Sequence, residues 1–283
     1  IQDSLVGSEM CIRDRIRPAS YCGVVGYKPS YGLISRNGVL RTSYNLDHIG
    51  VFGRTVEDVA LLAKVLIKKD SYDKATIHYS SEFMLDECKK GPMFDPKFIF
   101  YKTDSWKKVD KKSREAFEYF IKKNIEVFDT PSYFKDIDKY HRLIHETDLA
   151  NNFQVYYKKS KSKLSKEMQS AISKGMKHSA KEYLDAVDFM ERSYESYKEV
   201  FEDYHGVLSP CSTGVADKGL KSTGSADFNR VWSYMHTPAI SLPLLQGENN
   251  LPLGVQLVGD RHDDNRFLGV ANWLEKESKK FNE

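Results

Sequence analysis

IRPASYCGVVGYKPSYGLISRNGVL, residues 16–40, is the stretch that decides the fold. From Gly23 onward, glycines at 23, 26, 32 and 38 and a proline at 29 fall between short apolar runs, the spacing of turns between brief strands. A helix with a marked start follows: Thr55 is a good N-cap, Glu57 and Asp58 put carboxylates in the first turn, and Val59, Leu62, Ala63 and Leu66 recur at helical spacing. Further out, FIFYK (98–102) reads as a strand, SREAFEYFIKK (113–123) as an amphipathic helix and IEVF (125–128) as the next strand, the order of a parallel crossover. Two long helices are predicted near 136–159 and 179–204. GVLSP (206–210), AISLPLL (239–245) and LGVQLVGD (253–260) return to strands, and a last helix over 263–280 aligns Phe267, Val270, Ala271 and Leu274. This alternation predicts an α/β protein, a three-layer α/β/α arrangement with a mixed, mainly parallel central sheet. Residues 15–70 and 205–283 are expected to supply the sheet, and the polar, helical 71–204 region to cover its faces, all within one domain.

Composition narrows the function classes. The 283 residues are 40% hydrophobic, enough for a sizeable core. Lys+Arg 43 against Asp+Glu 40 leaves only +3, so no nucleic-acid signature is present. Lysine-rich KKSKSKLSK (158–166) reads as a solvated helix end or loop. Cys22, Cys88 and Cys211 form no CxxC pair and no metal spacing, the pattern of a reduced, cytoplasmic protein. No apolar run approaches the roughly 20 residues of a membrane span.

Upstream, the text changes character. LVGSEMCIRD (5–14) back-translates as CTC GTG GGC TCG GAG ATG TGT ATA AGA GAC, the transposon adapter of sequencing libraries. The reading is that residues 1–14 are translated adapter and take no part in the fold. Genuine sequence then starts at Arg15 or Ile16.

IRPASYCGVVGYKPSYGLISRNGVL, with LDHIGVFGRTVEDVALL (46–62), resembles the second half of the amidase signature, and STGSADFNRVWSYMHTPAISLP (222–243) and LPLGVQLVG (251–259) look like the matching end of that family. The resemblance implies a serine hydrolase that cleaves carboxamides through an acyl-enzyme, with a serine, serine and lysine triad. A hydroxyl is a poor nucleophile and needs an adjacent base, here a second serine relaying to a neutral lysine, while backbone N–H groups of a glycine turn hold the oxyanion. Counting back from Pro18, the family's serine falls at Asp14, and the lysine and second serine lie upstream. The chain is therefore expected to be the C-terminal part of an amidase, inactive as written and without cofactor or metal.

What the resemblance leaves in place is scaffold and pocket. Arg17 and Pro18 would orient the catalytic turn, and Asp47 and Arg54 would brace the sheet beneath it, either as a buried charge pair or in contact with substrate. Phe52 would wall the acyl pocket or pack in the core. Ser222, Thr223, Asn229 and Trp232 would form the substrate side, with Pro238 and Pro243 punctuating the strand behind. His48 reads as incidental, and His141 and His145, four apart on a helix with Glu146 beside them, read as an exposed face rather than a metal site.

The implied partner is a small-molecule amide in the intact enzyme, with no nucleic acid and no membrane; a homodimer is compatible. Two rival readings are the glutaminase subunit of the tRNA-dependent amidotransferase and a non-catalytic interaction protein of the same fold.

Overall fold

The structure is a computed structural model that describes residues 15–122, 125–219 and 222–280. Residues 1–14, and with them the adapter reading and Asp14, lie outside the described residues. Helix α1 (Ile16–Cys22) ends on Gly23, whose left-handed φ of 65° turns the chain into strand β1 (Val25–Lys28). After β2 (Val51–Gly53), α2 (Val56–Leu66) begins as its sequence predicts: Thr55 Oγ1 accepts from the Asp58 amide at 3.1 Å, and the Asp58 carboxylate accepts from the Thr55 amide at 3.0 Å. Helix α3 (Met84–Lys90) precedes the crossover of β3 (Phe98–Lys102), α4 (Lys111–Ile121) and β4 (Glu126–Asp129).

Three helices then follow, α5 (Phe134–Ser160), α6 (Lys166–Gly175) and α7 (Ala180–Lys198). Strand β5 (Gly206–Pro210), the short α8 (Arg230–Tyr234), β6 (Ala239–Gln246), β7 (Pro252–Val258) and α9 (Asp264–Lys280) complete the order. None of the described helices is long and apolar enough to cross a membrane.

One seven-stranded sheet runs β2-β1-β6-β7-β5-β3-β4. Pairs β5–β3 and β3–β4 are parallel, while β2–β1, β1–β6, β6–β7 and β7–β5 are antiparallel. Following those pairings, β2, β6, β5, β3 and β4 point one way and β1 and β7 the other, so the sheet is mixed and mainly parallel in strand direction. The α/β class stands as expected. The middle region contributes more than cover, however, since β3 and β4 extend the sheet at one edge, paired in parallel across the α4 crossover. Pro243 sits inside β6 where the register with β7 shifts between Leu242 and Leu245, a bulge that tolerates its missing N–H.

Strand alternation splits the core in two. Phe98 and Phe100 face one side with α2, α3, α4 and α9, through residues such as Val59, Met84, Phe117 and Leu268. Ile99 and Tyr101 face the other with Ile16 of α1, Ile144 of α5, Met190 of α7 and Trp232 of α8. A small third cluster joins α5 to α6 through Leu149, Phe153 and Ile172.

Candidate functional site

The site is built around α1, which crosses β1, β6 and β7 with Ile16, Ala19 and Ser20 buried beneath it. So close is this crossing that a Cβ at Gly26 would lie 2.5 Å from the Ala19 Cβ and 2.7 Å from the Arg15 carbonyl oxygen. Pro18 falls in the first turn of the helix, where a missing N–H costs nothing. Arg15, leading into α1, donates from Nε to the Gly50 carbonyl at 3.3 Å and places its guanidinium 5.8 Å from the Phe52 ring. Phe52 is exposed on β2 rather than packed in the core, beside the chain that enters α1.

Arg17 and Tyr21 are one helical turn apart and reach the same loop. Arg17 Nη1 donates to the Gly224 carbonyl at 3.0 Å, and a Cβ at Gly224 would stand 2.1 Å from the Tyr21 hydroxyl. With φ at 76°, Gly224 occupies a conformation and a space that exclude other side chains. Ser222 stiffens this loop, donating to Asp217 at 2.8 Å and accepting from the Gly224 amide at 3.0 Å. Ser222 and Thr223 are exposed. Burial raises the Tyr21 phenol above its ordinary pKa, so it stays protonated.

Behind the loop lies a buried polar layer. Asn229 Nδ2 donates to the Cys211 carbonyl at 3.2 Å and to Gln256 Oε1 at 3.0 Å, while Gln256 Nε2 donates to Ser209 Oγ at 2.8 Å and to the Phe228 carbonyl at 3.1 Å. Ser20 of α1 accepts from the Gly254 amide at 2.7 Å, tying helix to strand. Cys211, fully buried, has its thiol pushed up to about 12 by desolvation and is no nucleophile at neutral pH. Trp232 is core: its ring packs 5.8 Å from Phe134 and 5.4 Å from Tyr197.

Asp47 and Arg54 do not pair with each other. The Asp47 carboxylate accepts from the Thr42 amide at 2.8 Å, the Thr42 hydroxyl at 2.5 Å and the Ser43 amide at 2.9 Å, closing its own loop. Arg54 is exposed just ahead of α2. The buried ion pair of this region is Arg36 with Asp73, joined through Nε at 3.0 Å and Nη2 at 2.9 Å; sequence reasoning missed it, for the partners stand 37 residues apart.

A second cluster is not legible in the sequence either. The His236 and Tyr31 rings stack with centroids 4.0 Å apart, and His48 meets both edge-on, at 5.8 Å and 5.3 Å. Lys28 is fully buried nearby, donating to the Pro29 and Thr237 carbonyls. Burial lowers Lys28 to about 7 and His236 to about 3, and holds His48 well below its ordinary value, so both histidines are neutral. His48 is thus a packed, hydrogen-bonded residue, its Nδ1 2.8 Å from the Leu46 carbonyl. His141 and His145 correct the sequence expectation too: they lie on a buried face of α5, not an exposed one. Among the described residues no group of three His, Cys, Asp or Glu side chains is arranged to hold a metal.

Comparison with known proteins agrees with this architecture. A family model described as Amidase matches residues 15–268. The chain is 28% identical over 298 residues to a glutamyl-tRNA(Gln) amidotransferase subunit of Alkaliphilus metalliredigens, covering 92% of this chain and 60% of that protein. It is 27% identical to the Thermotoga maritima protein of the same name, covering 93% and 62%. Thus the chain spans about three fifths of the length of these curated relatives. Among solved structures, 6-aminohexanoate cyclic dimer hydrolase superposes with a TM-score of 0.75 at 19% identity, covering 93% of this chain and 62% of that one. The Thermotoga maritima amidotransferase subunit does so at 0.72 and 25% identity, covering 92% and 59%.

Proposed function

The chain belongs to the amidase family, and from that premise we propose that it is the part of an amidase lying downstream of the catalytic turn, in a protein that hydrolyses a small carboxamide through an acyl-enzyme. The match over residues 15–268 carries this reading. In the family the nucleophilic serine precedes the element that here reads Ile16, Arg17 and Pro18. Ile16 and Ala19 fix the rotation of α1 in the core, and Arg17 and Tyr21 clamp it to the Gly224 loop. A turn entering α1 would then be held against a loop that resembles the substrate side, which is the preorganisation that oxyanion stabilisation requires.

As written, with Asp14 at the serine's position, the chain forms no acyl-enzyme; an ionised carboxylate is a weak nucleophile and brings no oxyanion donors. On this reading residues 1–14 replace the natural sequence, and the serine, its bridging partner and the lysine are encoded upstream of the join. Sequencing genomic DNA across that join, then assaying ammonia release from simple amides, tests it. Activity in the restored protein that disappears when the turn serine becomes alanine is the expected result. Turnover by residues 15–283 alone, or a restored gene lacking serine and lysine, would overturn it.

A second reading has its own support: the relatives at 27–28% identity carry the name of the amidotransferase subunit. Segment 222–232, STGSADFNRVW, reads closer to stand-alone amidases, which keeps the general amidase first. Glutaminase activity that appears only with partner subunits would reverse that order.

A further inference from the structure

Beyond the carboxyl ends of β3 and β4 lies a cleft of about 380 Å³, lined by residues including Thr103, Thr130, Lys135 and Arg230. Crevices at the carboxyl ends of parallel strands are where open α/β sheets take ligands, because the outgoing loops diverge there. Most charges in this cleft are spoken for: Lys108 meets Asp227 at 2.6 Å and Arg142 meets Asp138 at 3.0 Å.

Arg230 differs from its neighbours. Its Nη1 alone contacts both Asp138 and Asp227, and no described residue accepts from its Nε or Nη2. Those two nitrogens are the side-on fork with which a guanidinium grips a carboxylate. The protein uses the same fork internally, where Arg36 holds Asp73 through Nε and Nη2. Two acids therefore orient the Arg230 plane while its fork has no acceptor, in a side chain only 21% exposed.

We propose that this cleft binds a small carboxylate-bearing molecule, the carboxylate lying side-on to Nε and Nη2 of Arg230. Either a free organic acid or the acid group of an amide brings that chemistry. With two aspartates on the same guanidinium, repulsion disfavours a phosphate dianion more than a monoanionic carboxylate.

Isothermal titration calorimetry on the chain as it stands, residues 1–283, tests binding without reference to hydrolysis, so its outcome is separate from the reading above. Acetate and 4-carbamoylbutanoate should bind saturably and uncharged glutaramide should not. Tighter binding of 4-carbamoylbutanoate than of acetate points to an amide's acid group, and equal binding to a free acid. Arg230→Lys keeps the charge and removes the fork, and should weaken binding at least about tenfold with an unchanged circular dichroism spectrum. Arg192→Gln, at an exposed arginine of α7 paired with Asp188, should leave affinity within about twofold. If Arg230→Lys does not fold, Arg230→Gln decides, since it removes both the fork and the charge; a loss of at least about tenfold is expected. No saturable carboxylate binding by the parent chain, unchanged affinity in the deciding variant, or tighter binding of inorganic phosphate would each overturn the proposal.

Discussion

At position 224 one missing side chain sets the geometry of the whole loop. Gly224→Ala would bring a left-handed backbone and the Tyr21 hydroxyl into conflict together, so it should cost about 1–3 kcal/mol in urea unfolding. Tyr21→Phe removes the oxygen that a Cβ would strike. In a double-mutant cycle the pair should therefore couple by at least about 0.5 kcal/mol, and strict additivity would show that backbone strain alone is responsible. Lys28 makes a different kind of prediction. Desolvation lowers it to about 7 in the folded protein, whereas an unfolded lysine titrates near about 10.4. Between those values the unfolded chain binds the extra proton, so stability should rise with pH across that window. Comparing the parent with Lys28→Met from pH 6 to 10 isolates the effect: the parent should gain relative to the variant above pH 7, and a constant difference would rule it out.

Among the elements, α2 is the one whose sequence speaks most plainly. Thr55→Ala removes the side-chain half of its capping box, leaving the Asp58 carboxylate on the residue-55 amide, and should lower stability by about 1 kcal/mol in thermal or urea melts, while Thr55→Ser should be nearly neutral. β5, β6, β7, α9 and the β3–α4–β4 crossover were equally legible, because local period and turn chemistry agree with the role each plays in the sheet. α1 was not. Seven residues with a proline in the first turn carry little helical signal of their own, and burial of Ile16, Ala19 and Ser20 against the sheet supplies the rest. α5 misled for the opposite reason: its 27 residues are flanked by charge, yet α6, α7 and α8 pack against it, and His141 and His145 are buried. In the candidate site, Arg17, Asn229 and Gly224 could be named from their motifs. Their arrangement could not, since Arg17 and Gly224 are 207 positions apart and only the folded sheet brings them together.

For the molecule as a whole, surface and topology matter most. Leu61, Leu62, Val65 and Leu66 leave an apolar stripe on the outer side of α2, each at least 44% exposed. Such a stripe drives association, so the chain should sediment as a concentration-dependent oligomer, and Leu62→Lys with Val65→Lys should shift it toward monomer; identical sedimentation of parent and variant would exclude this face. The sheet order places β6 and β7, late in the chain, between β1 and β5, with Gly26 paired to Ser241. Synthesis runs from the N-terminus at roughly 5–20 residues per second. β2 follows at once, but β1 waits, by that rate, on the order of ten seconds or more for β6, its neighbour on the inner side. Throughout that interval the nascent chain has no central sheet to close around and stays open to chaperones. Premature termination anywhere before β7 would leave a product with no route to the native state, and the cell would have to recognise it by its unpaired β1 and β5 edges.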